Sequence, residues 1–328
     1  MKAITYDGYG PPEHLELREI DKPRVDDDGV LVRVRTASVN PVDWHVMRGE
    51  PSLVKVVSGF RSPKGQVPGV DVAGEVEEVG ANVTLLRPGD EVFGRHRDGT
   101  FAEYVCATET NLVPKPARLT WEQAAAIPVA GSTALQAVRD HGEVQPGQRV
   151  LVNGAAGGVG TFAVQIAKAL GAEVTGVCST RNLELVRAIG ADHVVDYTAE
   201  DFTRNGRRYD LVLQICGDRS LRDLRRALTP RGTLVLVGGG TGRHEKGDGM
   251  LGPLAAMIKG RFLSRFTNQR IRMFITKGRH DDLVYLSEQV EAGSLTPVVD
   301  RSYPLADAAE AIRYLEAGHA RGKVVVTM

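Results

Sequence analysis

Cysteine is scarce in this chain: Cys106, Cys178 and Cys216 are the only three in 328 residues. Their odd number and wide spacing exclude a disulfide framework and a four-cysteine zinc site. Each reads as a small buried apolar residue in a reducing cytoplasm. Long apolar runs are missing as well. No window approaches the roughly 18 to 20 residues a membrane span needs, and the opening MKAITYDGYG turns polar short of signal-peptide length. Nor is there an excess of charge of one sign. Lys and Arg number 41, as do Asp and Glu, so no broad field draws the chain to nucleic acid or to an anionic membrane. No internal repeat is visible.

What is present suits a globular protein of two domains, with 42% apolar and 25% charged residues. The first 120 or so residues have the grammar of short strands. GVLVRVRTASV alternates Val30, Val32 and Val34 with Leu31, Arg33 and Arg35, a period of two. DVAGEVEEVG, DEVFG and FAEYVCA follow, separated by Pro-Gly and Asp-Gly punctuation. This predicts an antiparallel, barrel-like β domain. At Thr120 the grammar changes. Thr120 and Gln123 form a T-x-x-Q capping pattern ahead of a helix. Beyond it, VLVNG, EVTGVCS, HVVDY, DLVLQIC and TLVLVGGG alternate with helical stretches, which predicts a doubly wound parallel sheet. IRMFI at 271–275 is a candidate sixth strand, and the closing GKVVVTM is a strand expected to rejoin the first domain. The predicted division is 1–122 plus 277–328 for the β domain and 123–276 for the α/β domain.

The most specific motif is LVNGAAGGVGTFAVQIAKALGAEVTGV. A strand runs into glycines and then into a helix whose Phe162, Ala163, Ile166, Ala167 and Leu170 recur at helical spacing, with Gly171 as its stop. Glycines in this place permit a tight turn, close approach of backbone to a pyrophosphate and close packing of helix on strand. The helix N-terminus offers unpaired amides to the anion. Gly154, Gly157, Gly158, Val159 and Gly160 are therefore the expected dinucleotide cradle, Ala156 taking one slot of strict G-x-G-x-x-G. The second strand of this unit ends Cys178-Ser179-Thr180-Arg181, with no carboxylate before Glu184. Hydroxyls and a guanidinium suit a 2′-phosphate, so Ser179, Thr180 and Arg181 favour NADPH over NADH. The alternative is that Arg181 is a solvated residue of the next helix.

With both halves read, the chain resembles the medium-chain dehydrogenase/reductase superfamily over essentially its whole length. PGVDVAGEVEEVG, RPGDEVFG, GSTAL, GAAGGVG, GADHVVDY and GKVVV occur in that family's order. The resemblance implies a GroES-like β-barrel domain, built from both chain ends, and a Rossmann domain, with the active site in the cleft between them. Zinc-dependent members have a cysteine ligand where this chain has Asn40. Their G-H-E histidine is Val70 here, and their third ligand falls near Val129. The resemblance is therefore to the zinc-free, quinone oxidoreductase-like branch, with no metal expected. It puts Asn40 beside the nicotinamide or the acceptor carbonyl and His45 at the position of a relay histidine. Val42 interrupts that relay, which leaves His45 either a proton donor or a bystander. Asp43 and Asp71 are expected to hold loops by local hydrogen bonds. Thr133 is expected at the nicotinamide amide and Tyr197 near the adenine or the 2′-phosphate. Gly238 and Gly239 allow backbone approach to the nicotinamide. Lys323 either reaches the cofactor or the cleft, or guards an edge strand.

Without a metal to act as Lewis acid, the expected acceptors are already electrophilic: quinones, or alkenes conjugated to a carbonyl. The expected function is an NADPH-dependent reductase of such small molecules, working as a homodimer that pairs through IRMFI. Reduction of enoyl thioesters and a non-catalytic NADPH-binding scaffold are the alternatives. GGGTGRHEKGDGMLGP is the candidate mobile loop.

Overall fold

Alternating valines make residues 29–39 the central strand of the first unit. In β3 (Gly29–Val39) Val30, Val32 and Val34 are buried while Arg33 and Arg35 reach water. A one-residue slip would turn both arginines inward, which pins the register. The structure, a computed structural model, describes residues 1–50, 55, 67–216, 219–237 and 268–328. It divides into Met1–Ser132 with Gly278–Met328, and Thr133–Lys277.

In the first unit β1 (Lys2–Thr5) pairs with β2 (Glu16–Glu19). The larger sheet contains β3, β4 (Asp71–Val79), β5 (Glu91–Arg95), β6 (Tyr104–Thr108), β7 (Leu112–Pro114), β14 (Val299–Pro304) and β15 (Lys323–Thr327). Its order is β14-β15-β3-β4-β5-β7, with β6 also on β3. One pairing departs from the antiparallel expectation. β14 and β15 are parallel, because the chain between them returns through a helix, Ala308–Glu316, and such a crossover brings strands in side by side in the same direction. The closing strand does rejoin the first unit, β15 running antiparallel to β3 from Val324 opposite Val39. The first unit extends to Ser132 and resumes at Gly278, beside the expected bounds of 122 and 277. Helix α1 (Pro41–Arg48) follows β3. Helix α2 (Trp121–Ala125) packs on β3 and β4. Buried Ala124, Ala125 and Ile127 tie it there.

The second unit is a six-stranded sheet of order β10-β9-β8-β11-β12-β13. Its strands are β8 (Arg149–Asn153), β9 (Glu173–Cys178), β10 (His193–Asp196), β11 (Tyr209–Gln214), β12 (Leu228–Val237) and β13 (Arg270–Phe274), all pairings being parallel. β13 is the IRMFI strand and forms one edge. Helix α3 (Pro128–Leu135) precedes the sheet, and α4 (Gly158–Ala169) links β8 to β9. Every residue of α4 from Gly160 to Ala167 is buried, so apolar burial at roughly 25 cal/mol per Å² holds it on the sheet from nearly all sides. The chain reverses after β8 at the order's switch point, where open parallel sheets hold ligands.

Candidate functional site

In the first unit the C-terminal end of β3 gathers polar side chains out of water. Asn40 caps α1, with Pro41 at the first helical position. The Asp43 carboxylate turns back to accept from the Asn40 backbone N–H at 2.7 Å, half of a capping box. The Asn40 side-chain nitrogen donates to Asp71 Oδ2 at 2.9 Å and, more weakly, to the Ser38 carbonyl at 3.3 Å. Its oxygen accepts from Lys323 Nζ at 2.6 Å. Lys323 also donates to the Val39 carbonyl and lies 3.5 Å from Asp71 Oδ2. Ser38 Oγ donates to Asp71 Oδ2, and the Val129 amide to Oδ1. Asp71 is 0% exposed, Asn40 2% and Lys323 3%.

Two charges and a carboxyl in this setting fix one another. With an ammonium on its oxygen and a carboxylate on its nitrogen, the Asn40 amide has a single orientation. Both its hydrogens are engaged, so an acceptor oxygen at Asn40 must displace the long bond to Ser38. Burial pushes the Lys323 ammonium below its ordinary value, opposed by Asp71 and Asp43. Burial, with a smaller push from Asp71, raises the Asp43 carboxyl to about 7, against the Asn40 and Gly69 amides and Lys323. Asp71 links more than the local loop it was expected to hold. It stands opposite Ser38 on one side and Arg95 on the other. Arg95 is half-buried, and its Nη1 has no hydrogen-bond partner among the described residues.

Lys323 is no edge-strand guard: β15 lies inside the sheet, between β14 and β3. His45 turns to the Glu50 carbonyl, with Nδ1 2.7 Å away, and its ring lies 3.6 Å from that of Trp44. Val42, the residue that interrupts the relay, is exposed. At the positions set against zinc ligands, Val70 and Val129 have no side-chain lone pair, and the Asn40 oxygen is taken by an ammonium. Among the described residues no group of three or more His, Cys, Asp or Glu is placed to hold a metal. This donor set does not fit a catalytic zinc.

In the second unit β8 ends in Asn153, whose side-chain nitrogen donates to Gln214 Oε1 and to the Cys216 carbonyl, both at 2.8 Å. The next residue, Gly154, has φ +93°, and a Cβ there would stand 2.5 Å from Cys216 Sγ. Gly157 caps α4, and a Cβ on Gly160 would lie 2.0 Å from the Gly154 carbonyl oxygen. The turn therefore closes only with glycine at 160. Gly158, Val159 and Gly160 present first-turn amides that the helix itself cannot pair. This cradle fits the pyrophosphate of a dinucleotide.

At the end of β9, Ser179 precedes a short turn at Thr180–Asn182 and accepts from the Asn182 side chain. The Thr180 hydroxyl is committed to Asp196 Oδ2. Asp196 also takes the amide and hydroxyl of Thr198, and these donors hold its carboxyl below the usual range. Arg181 is exposed, as is Tyr197. Thr133 Oγ1, in α3, is 2.8 Å from Thr276 Oγ1. Gly238, Gly239 and the candidate mobile loop lie outside the described residues. Sequence reasoning missed Asn153, Gln214, Arg95 and Ser38. A polar residue closing an apolar strand, as in VLVN and DLVLQ, was the available signal for the first two.

Two families match the chain: one described as alcohol dehydrogenase GroES-like domain, over residues 26–117, and one as zinc-binding dehydrogenase, over 189–326. The mitochondrial NAD(P)H oxidoreductase RTN4IP1 of Mus musculus is 34% identical, over 100% of this chain and 89% of its own length. The chloroplastic NADPH-dependent alkenal/one oxidoreductase of Arabidopsis thaliana is also 34% identical, over 99% of this chain and 79% of its own. A solved quinone oxidoreductase from Coxiella burnetii superposes with a TM-score of 0.85 at 32% identity, covering 100% of this chain and 99% of that one.

Proposed function

Because the chain belongs to the medium-chain dehydrogenase/reductase superfamily, in its zinc-free quinone oxidoreductase-like branch, we propose that it is an NADPH-dependent reductase of quinones and α,β-unsaturated carbonyls. One observation carries this reading. The same chain has a glycine cradle built for a dinucleotide and a buried polar cluster in which the zinc-ligand positions hold two valines and an engaged asparagine. The relatives named for quinones and for alkenals and alkenones support the acceptor class.

When bound, the reduced nicotinamide supplies a hydride, the part of the chemistry the protein does not carry. The residues of this chain do the rest. Gly154, Gly157 and Gly160 let backbone amides close on the pyrophosphate, and Gly158 and Val159 begin the helix behind it. Ser179 and Arg181 receive the adenosine 2′-phosphate. Asp196 is already occupied by three donors, so it is poorly placed to take ribose hydroxyls instead, which supports NADPH over NADH. Thr133 and Tyr197 flank the two ends of the dinucleotide. Asn40, held by Lys323 and Asp71, addresses the acceptor's oxygen by giving up its long bond to Ser38, and Lys323 serves that side through Asn40. His45 takes no proton-transfer role in this reading. The protein acts in the cytoplasm as a homodimer.

Oxidation of NADPH, followed by its absorbance, tests the proposal against a quinone, an uncharged enone and an enoyl thioester, each repeated with NADH. Turnover on the first two, with kcat/KM at least tenfold higher for NADPH, is expected. Tight NADPH binding with no turnover on any of the three replaces it with a scaffold role. Equal efficiency with NADH overturns the choice of cofactor.

A further inference from the structure

Arg95 has a buried Nη1 with no hydrogen-bond partner among the described residues. It closes β5, directly opposite Asp71 on β4, and Asp71 is directly opposite Ser38 on β3. Residues paired across antiparallel strands project from the same face. Ser38 Oγ reaches Asp71 on that face, so Arg95 rises beside the cluster that holds Asn40 and Lys323. Asp71 does not neutralise it by contact. The carboxylate oxygens of Asp71 already receive Ser38, Asn40 and the Val129 amide, with Lys323 at 3.5 Å.

The guanidinium thus keeps a buried Nη1 with no partner among the described residues. A charged donor left unmade out of water is costly, and such groups are retained where a ligand completes them. Gly278 lies against the same nitrogen: a Cβ there would stand 3.2 Å from Nη1, so a side chain at 278 would crowd it. Burial lowers the pKa of the Arg95 guanidinium and Asp71 opposes that shift, so Asp71 is the carboxylate that faces it.

We propose that Arg95 is a catalytic residue, its Nη1–H gripping the acceptor's carbonyl oxygen and holding the negative charge that develops there. This rests on the reductase reading above and narrows the substrate class to acceptors whose reduced form is an oxyanion. Hydride adds to the carbon β to the carbonyl, the alkene pair moves into the bond beside it, and the carbonyl pair moves to oxygen. The enolate then takes one proton from solvent at the α carbon. The acceptor gains the two electrons that the dinucleotide loses. In a quinone, hydride transfer to one carbonyl oxygen leaves the other as a phenolate, and one proton from solvent completes the hydroquinone.

The test uses the full chain saturated with NADPH, an uncharged enone and a benzoquinone. Arg95→Met is expected to lower kcat by roughly 100- to 1,000-fold on both acceptors, the cost of one oxyanion donor. Arg95→Lys should recover part of that loss. The dissociation constant for NADPH and the melting temperature are expected to stay at wild-type values in both variants. Gly278→Ala, which crowds Nη1 and leaves the charge in place, should lower kcat in the same sense. If Arg95→Met turns over within threefold of a working wild type, or its loss follows weakened NADPH binding, the assignment of Arg95 falls alone. A wild type that turns over neither acceptor removes the reductase reading, and this assignment with it.

Discussion

Asp43 gives the polar cluster a pH signature of its own. Its carboxyl lies beneath α1, fully buried, with Asp71 and Lys323 the charged groups facing it. Folding raises its pKa from an ordinary 3.8 to about 7. The stability this group contributes is therefore present below pH 3.8 and lost as pH rises toward 7, since the folded chain holds a proton that the unfolded chain releases. Asp43→Asn retains an acceptor for the Asn40 amide and does not titrate. Measured by chemical denaturation from pH 4.5 to 7.5, the variant should gain on the wild type by on the order of 1 kcal/mol per pH unit. A difference that stays flat across that range would mean that Asp43 is ionised throughout. That Asp43 makes a local hydrogen bond was expected, and its partner, the Asn40 amide, lies three residues away. The raised pKa was not, because it comes from the depth of burial and, to a smaller extent, from Asp71.

A glycine turn illustrates how an element can be read from sequence and yet hide which residue it depends on. All the glycines from 154 to 160 were expected in the cradle for one general reason, but the structure separates them. A Cβ at Gly157 would meet its nearest neighbour, the Gly154 carbonyl oxygen, at 3.5 Å, whereas one at Gly160 would meet the same oxygen at 2.0 Å. Backbone cannot yield as a flexible side chain can. Gly160→Ala is expected to lower both the melting temperature and NADPH affinity, by several degrees and at least tenfold, as the turn opens. Gly157→Ala should keep the melting temperature and weaken only NADPH binding, through the lost backbone approach. Calorimetry and fluorescence titration of the two variants separate the cases; matching effects would show that the turn behaves as one unit. The strands were the most legible elements, since period-two alternation and short apolar runs are local. The end of the first unit was not. Its helix α2 carries a capping pattern suited to starting a new domain, yet it packs back on β3 and β4. No local signal states which sheet an amphipathic helix will cover.

At the scale of the whole molecule, β13 leaves one edge of the second unit's sheet without a further strand among the described residues. Exposed edges are normally paired or blunted, and β13 is half-buried along most of its length in the single chain. A dimer of twice 35.4 kDa is expected by sedimentation at micromolar concentration; a monomer there would remove the homodimer from the proposal. The sequence alone determined the two grammars and the glycine turn, because each depends on residue type and spacing within a few positions, whereas the valines at 70 and 129 were set against zinc ligands by the family resemblance. Only the tertiary structure decided that Lys323 meets Asn40 across 283 residues and that Arg95, opposite Asp71, has an Nη1 without a hydrogen-bond partner among the described residues. Those contacts depend on strand order and register, and both are set when distant segments pair, which no local pattern encodes.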